Sequence, residues 1–412
     1  MKALFFILIL FPSSAFSATR YFLDLSANSQ IRDDPHDQRE IPLNGYLGFS
    51  LNDPTYKAWF DVDMRFFHEF ENALDDYDLY QSAVHYRPKP DVQIDLGRQM
   101  INRGFSLDTV DGGQLTFSPF EKIALSLYAG VPRTVETGDF NEDDGLSAGI
   151  AASLKGFSRT RGGIKVAWKR DRMESVDFGA NDRLLLGMDM GYHFRGAWSP
   201  FAFVLAEYDT FGSNLDTISA GIDLYPSKRV ALNLGFDYFD SNREDSVVTL
   251  TDLFTDGETF SGRIGSTWTL IPSRLDFTQT YAYQNLENTD SAREPGHLFE
   301  GGFPLYFPKI GLNLIPTYYF TQSFGGRVHG ARLDFREQIS RWYAEGGIDY
   351  STYVKITGND DNAFSTFLWS GYELVKGFVF SGGVEYNANN LYEKDIRGSV
   401  KLDYRLSGEF KK

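Results

Sequence analysis

The stretch YKAWFDVDMRFFHEF, residues Tyr56 to Phe70, alternates apolar and polar side chains. Tyr56, Ala58, Phe60, Val62, Met64, Phe66 and Phe70 fall on one face, and Lys57, Trp59, Asp61, Asp63, Arg65 and Glu69 on the other. Successive strand side chains point to opposite sides, so one face is greasy and one is wet. A strand of about 9 to 11 tilted residues crosses a hydrocarbon core, and a sheet there must close on itself because no water satisfies an exposed edge. The stretch therefore predicts one stave of a transmembrane β-barrel.

The start of the chain agrees with a membrane address. Lys2 precedes the apolar run Leu4 to Phe11, followed by Ser13, Ser14, Ala15 and Ser17 before Ala18. A run this short reads as a signal peptide over residues 1–17, leaving 18–412 as a single barrel domain. No later stretch reaches the roughly 18 continuous apolar residues of a membrane-spanning helix. A mean hydropathy of −0.32 fits a barrel, since half of every strand faces a wet lumen. The 16% aromatic content, with 36 Phe and 23 Tyr, supplies rings for interfacial girdles. Cysteine is absent, which excludes a disulfide, a thiolate metal site, covalent c-type haem and a cysteine nucleophile. No cofactor is expected. A net charge of −16 disfavours nucleic acid and favours cations as partners.

Connections of two kinds alternate along the chain. Tight ones, such as Asn52 to Pro54, Pro226 to Arg229, Ser340 to Arg341 and Val375 to Gly377, are followed by mostly longer polar ones, such as Ile31 to Ile41, Pro132 to Asp144 and Ser241 to Glu258. Short periplasmic turns alternating with longer outer loops characterise an antiparallel up-and-down barrel. The segments between them number 22, within a range of 18 to 22. Expected lipid-facing rows include Leu232, Leu234, Phe236 and Tyr238, with Asn233 and Asp237 in the lumen. Ala202 to Tyr208 is ambiguous, because Glu207 falls on the face of Phe203 and Leu205. A propeller would show a blade-length repeat, and none is present.

The pattern resembles the outer-membrane β-barrels of Gram-negative bacteria, porin-like in kind. The segment Gly97, Arg98, Gln99, with Arg103, Gly104, Asp108, Asp111, Gly112 and Gly113 following, is similar to a strand and loop of some porins and alginate-export channels. Val400, Leu402, Tyr404, Leu406 and Phe410 keep an outward parity in the last strand, but Lys411 and Lys412 follow the aromatic residue that ends such chains. The resemblance implies a lipid bilayer with lipopolysaccharide as surroundings and the barrel-assembly machinery as a partner. It also implies a passive channel for ions or small polar solutes, expected here to prefer cations. A second expectation is a scaffold barrel sheathing a periplasmic or redox protein in its lumen. A third is an outer-membrane hydrolase, although the six histidines are scattered and no serine or carboxylate lies at relay spacing.

Candidate selectivity residues are the charged lumen rows: Lys57, Asp61, Asp63 and Arg65; Asp95 and Arg98; Arg332, Asp334 and Arg336; and Lys401, Asp403 and Arg405. Charges lining a pore sort ions by focusing the field. Mutually paired, solvated charges are the plainer reading of such rows. Val247, Leu250, Leu253 and Phe254 give the longest connection an apolar centre suited to a constriction or gate, or to packing on the rim. Glu142, Asp143 and Asp144 offer oxygen ligands of the type that binds calcium or magnesium. Their spacing matches no EF-hand, and a solvated acidic loop is preferred.

Overall fold

The computed structural model describes residues 19–33, 39–70, 74–102, 107–133, 145–154, 157–171, 181–196, 198–211, 214–240, 258–287, 293–323, 326–354, 360–389 and 394–409. The signal peptide over 1–17, the gate candidates Val247, Leu250, Leu253 and Phe254, and Glu142, Asp143 and Asp144 lie outside them.

The first wall strands are β1 (Arg20–Asp33), β2 (Arg39–Glu40 continued by Pro42–Asp53), β3 (Ala58–Glu69), β4 (Leu74–Lys89), β5 (Val92–Asn102), β6 (Leu107–Phe120) and β7 (Ile123–Arg133). Next come β8 (Leu146–Leu154), β9 (Thr160–Asp171), β10 (Asn181–His193), β11 (Phe201–Asp209), β12 (Asn214–Ser227), β13 (Val230–Asp240), β14 (Glu258–Ile271) and β15 (Leu275–Glu287). The last are β16 (Arg293–Gly302 continued by Leu305–Phe307), β17 (Leu312–Ser323), β18 (Gly326–Ile339), β19 (Trp342–Val354), β20 (Asp360–Val375), β21 (Phe378–Ala388) and β22 (Asp395–Glu409). Pro304, which has no N–H to offer the ladder, marks the break in β16.

Each strand pairs antiparallel with its chain neighbours, and β1 pairs with β22 from Arg20↔Glu409 to Ile31↔Gly398. The sheet is thus a closed barrel of 22 strands with no free edge at the seam. Closure satisfies the backbone without water, which is what a hydrocarbon surround requires. Turns at 54–57, 90–91, 121–122, 228–229, 272–274, 308–311, 340–341 and 376–377 share the rim that carries Arg20 and Glu409. Lys57, Ser273, Ser340, Gly311 and Gly377 take positive φ in these turns. Exposed Phe120, Trp198, Trp268 and Trp342 lie close to the same rim, as an interfacial aromatic girdle does.

The stretch that opened the reading is β3, bounded more tightly than the alternation suggested. Its strand runs Ala58–Glu69, and Lys57 belongs to the preceding turn with φ 53°. The outer faces carry exposed Phe66, Leu96, Leu127, Ile164, Met188, Leu234, Phe236, Ile348, Leu368, Val384 and Val400. Tyr238 keeps its outward parity but packs against Phe260, ring centroids 4.9 Å apart, and is buried.

Candidate pore constriction and lumen surface

Three glycines on adjacent strands stand side by side: Gly97 of β5 faces Gly112 of β6, which faces Gly130 of β7. Gly97 has φ +120°, and a Cβ there would lie 2.2 Å from the Ser82 carbonyl oxygen. A Cβ at Gly112 would lie 2.1 Å from the Ala129 oxygen, and one at Gly130 2.5 Å from Val110 Cγ1. Only glycine permits so tight a bend, and a glycine row across neighbouring strands is how a sheet turns a corner.

Beyond that row β5 parts from β4. The β4–β5 ladder stops at Ser82↔Arg98 although β5 continues to Asn102, and the β7–β8 ladder stops at Gly130↔Ser147 although β7 continues to Arg133. Pairing within β5, β6 and β7 persists to Asn102↔Leu107 and Thr109↔Arg133. The result is a three-stranded flap that separates from β4 along one flank, while on the other flank the ladder ends where β8 begins and a Cβ at Gly145 would lie 3.0 Å from Pro132 Cγ. Its lumen-parity residues Ile101 and Val110 join Tyr128, Ala167 and Leu185 in one buried cluster. Those last three lie on the inner faces of β7, β9 and β10, where Tyr128 reaches across Gly149. Side chains facing an open lumen would be wet, so the flap bends inward and narrows the bore.

A charge cluster fastens the bend. Arg98 donates from Nε to Asp111 Oδ1 at 2.6 Å and from Nη2 to Asp111 Oδ2 at 2.8 Å. Arg133 Nε donates to the same Oδ2 at 2.9 Å, and Arg98 Nη1 donates to the Leu79 carbonyl at 3.0 Å. The fork of one guanidinium thus holds the flap to itself and to β4, in the bidentate geometry that makes such pairs strong.

Among solved structures, three Pseudomonas aeruginosa proteins are similar in shape. OpdQ matches with TM-score 0.48 and 8% identity, over 94% of this chain and 99% of that one. OccK3 (OpdO) matches with TM-score 0.46 and 11% identity, over 94% and 96%. OccK8 (OprE) matches with TM-score 0.46 and 10% identity, over 94% and 98%. No family model matches the chain, and no curated protein matches it in sequence. The fold is a porin-like barrel. The closed ladder and the apolar outer wall define it.

Inside this porin-like barrel, Asp61, Asp63, Asp95, Arg332, Asp334, Arg336, Lys401, Asp403 and Arg405 all lie at lumen-facing positions of the wall. Most are paired. Lys401 meets Asp403 at 3.0 Å, Arg405 meets Asp24 at 3.0 Å, and Arg65 meets Asp78 at 3.1 Å. Arg332 lies 2.7 Å from Asp334 and 3.8 Å from Glu300. Asp95 accepts from His85 Nδ1 at 2.7 Å, and His85 Nε2 stands 3.3 Å from Asp61, with the imidazole stacked on Trp59. Two candidate residues lie away from the lumen-facing wall: Lys57 sits in a turn on the rim, and Arg98 occupies the face opposite Asp95, at the root of the flap.

Several residues of this site carried no sequence signal strong enough to name them. Ile101, Val110 and Tyr128 look like ordinary wall positions. Lys165 and Glu207 are separated by β10, yet Lys165 Nζ reaches Glu207 Oε2 at 2.8 Å by lying across Gly187. Arg183 bridges Asp209 at 2.7 Å and Asp216 at 2.8 Å. The glycines were the available signal: Gly97, Gly112 and Gly113 stood in the quoted motif, and Gly130 faces them from β7.

Proposed function

We propose that the protein is an outer-membrane channel that passes ions and small polar solutes passively, with cations preferred. The observation that carries this reading is the inward flap. A barrel of 22 strands encloses a lumen wide enough for an aqueous channel, and such a lumen must be narrowed to sort solutes. Here the chain narrows it with its own β5–β7 corner, so no separate lumen-filling protein is required. The polar, ion-paired inner wall gives solute a hydrated path, and a net charge of −16 biases the field toward cations.

Single-channel recording of the purified protein in planar bilayers tests this. Resolved conductance steps and a reversal potential on the cation side under a KCl gradient are expected. A silent bilayer from folded protein, or an anion-side potential, overturns the corresponding part of the reading.

A further inference from the structure

Opposite in chain order to the flap, the inner face of β19 and β20 carries three aromatic rings among charges. Tyr343, Glu345, Gly347 and Asp349 share the lumen parity of β19, and their partners are Gly371, Trp369, Phe367 and Ser365 of β20. The parity is secure, because Ile348, Tyr350 and Leu368 on the alternate positions are exposed on the outer wall. Aromatic side chains are costly on a water-filled inner wall unless something covers them.

The rings lie flat against missing side chains. A Cβ at Gly371 would stand 2.3 Å from the Tyr343 ring, one at Gly383 2.3 Å from Trp369, and one at Gly347 2.7 Å from Phe367. A ring with one face against a glycine backbone turns its other face to the lumen. Phe367 remains 42% exposed there. Trp369 Nε1 donates to the Tyr343 hydroxyl at 3.2 Å, which fixes the two rings relative to each other.

Hydrogen-bonding groups border the strip on both sides. Asp334 Oδ1 stands 2.7 Å from the Cβ position of Gly347, on the far side from β20. Glu345 is the cross-strand neighbour of both Trp369 and Arg336, and Glu385 is that of Phe367. Asp349 accepts from the Tyr319 hydroxyl at 2.7 Å. Flat aromatic faces present a negative quadrupole to polarised C–H groups. Flanking carboxylates and guanidinium groups then pair with hydroxyls, and water-mediated contacts complete such sites. A ligand that offers both C–H faces and hydroxyl edges is a sugar.

We propose that Tyr343, Trp369 and Phe367 form a stacking track on the lumen wall for a neutral saccharide, with Asp334, Glu345, Arg336 and Glu385 as its hydroxyl partners. The proposal deepens the channel reading by naming a solute class, and it rests on that reading for the direction of passage.

Two measurements on the full-length protein separate the proposals. In planar bilayers, maltotetraose at millimolar concentration is expected to interrupt the KCl current, and the Phe367→Ala/Trp369→Ala variant to shorten each block roughly 3- to 10-fold, the range implied by loss of aromatic contacts. Conductance without sugar should remain in that variant. In detergent, maltotetraose should alter the tryptophan emission of the wild type, and the Trp369→Phe variant should lose that change. Conductance without any sugar block and without an emission change overturns the track while leaving the channel intact. Equal block in wild type and double variant also overturns it. An emission change from a protein that conducts nothing overturns the channel and keeps the track.

Discussion

Glu207 is 1% exposed, and its Oε2 lies 2.8 Å from Lys165 Nζ. The carboxylate falls on the face of Phe201, Phe203 and Leu205, which in the sequence alone looks inconsistent with a polar lumen. The partner is two strands away and was not legible, because only the glycine at 187 lets a lysine side chain cross the intervening strand. A pair this deep stabilises little over apolar side chains, yet breaking it leaves an uncompensated buried charge that costs about 3–5 kcal/mol. Glu207→Ala is therefore expected to lower the temperature at which the folded barrel converts to the unfolded form on a denaturing gel. Lys165→Met/Glu207→Leu should recover most of that loss. If the double variant is as unstable as the single one, the two residues are not coupled.

At the scale of elements, the bend at Gly97, Gly112 and Gly130 lays the flap against the inner faces of β9 and β10. Gly112→Val would press a side chain onto the Ala129 carbonyl 2.1 Å away, so the flap is expected to stay out of the lumen and single-channel conductance to rise. A folded Gly112→Val barrel with wild-type conductance would show that the flap does not narrow the path. Arg98→Ala is a gentler probe. It removes two hydrogen bonds to Asp111 and one to the Leu79 carbonyl, charge-assisted bonds that contribute roughly 1.5–3 kcal/mol each at most. Noisier currents with frequent steps to a larger level are expected, and quiet wild-type currents would place the latch elsewhere. The motif holding Arg98 stood out in the sequence, but grouping Arg98 with Asp95 as a lumen charge set aside the alternation, which puts residues three apart on opposite faces. The alternation runs unbroken through Gly97, with Leu96 and Met100 exposed and Asp95, Gln99 and Ile101 buried, so what the sequence hid was the partner of Arg98, Asp111 on the next strand.

For the whole molecule, the wall was legible because alternation, turn residues and closure all express one constraint, that every backbone group in hydrocarbon finds a partner. Leu234, Phe236 and Val384 took the outward face that their parity gave them. The lumen was less legible, since its chemistry depends on pairs between strands distant in sequence, such as Asp24 with Arg405. Those pairs neutralise most basic groups on the described inner wall, so the residual field comes from the acidic excess behind the net charge of −16. A diffuse field of this kind acts over a Debye length, about 10 Å at 0.1 M salt and about 3 Å at 1 M. Cation preference measured from reversal potentials should therefore be clear at 0.1 M KCl and largely lost at 1 M. A preference that survives high salt would instead locate selection in a narrow, partly dehydrated site, for which the edge of the β5–β7 flap is the natural place. Neutralising Asp63 or Asp189, which face the lumen in different sectors, should then change little, whereas in the diffuse case each lowers the low-salt preference by a similar small step.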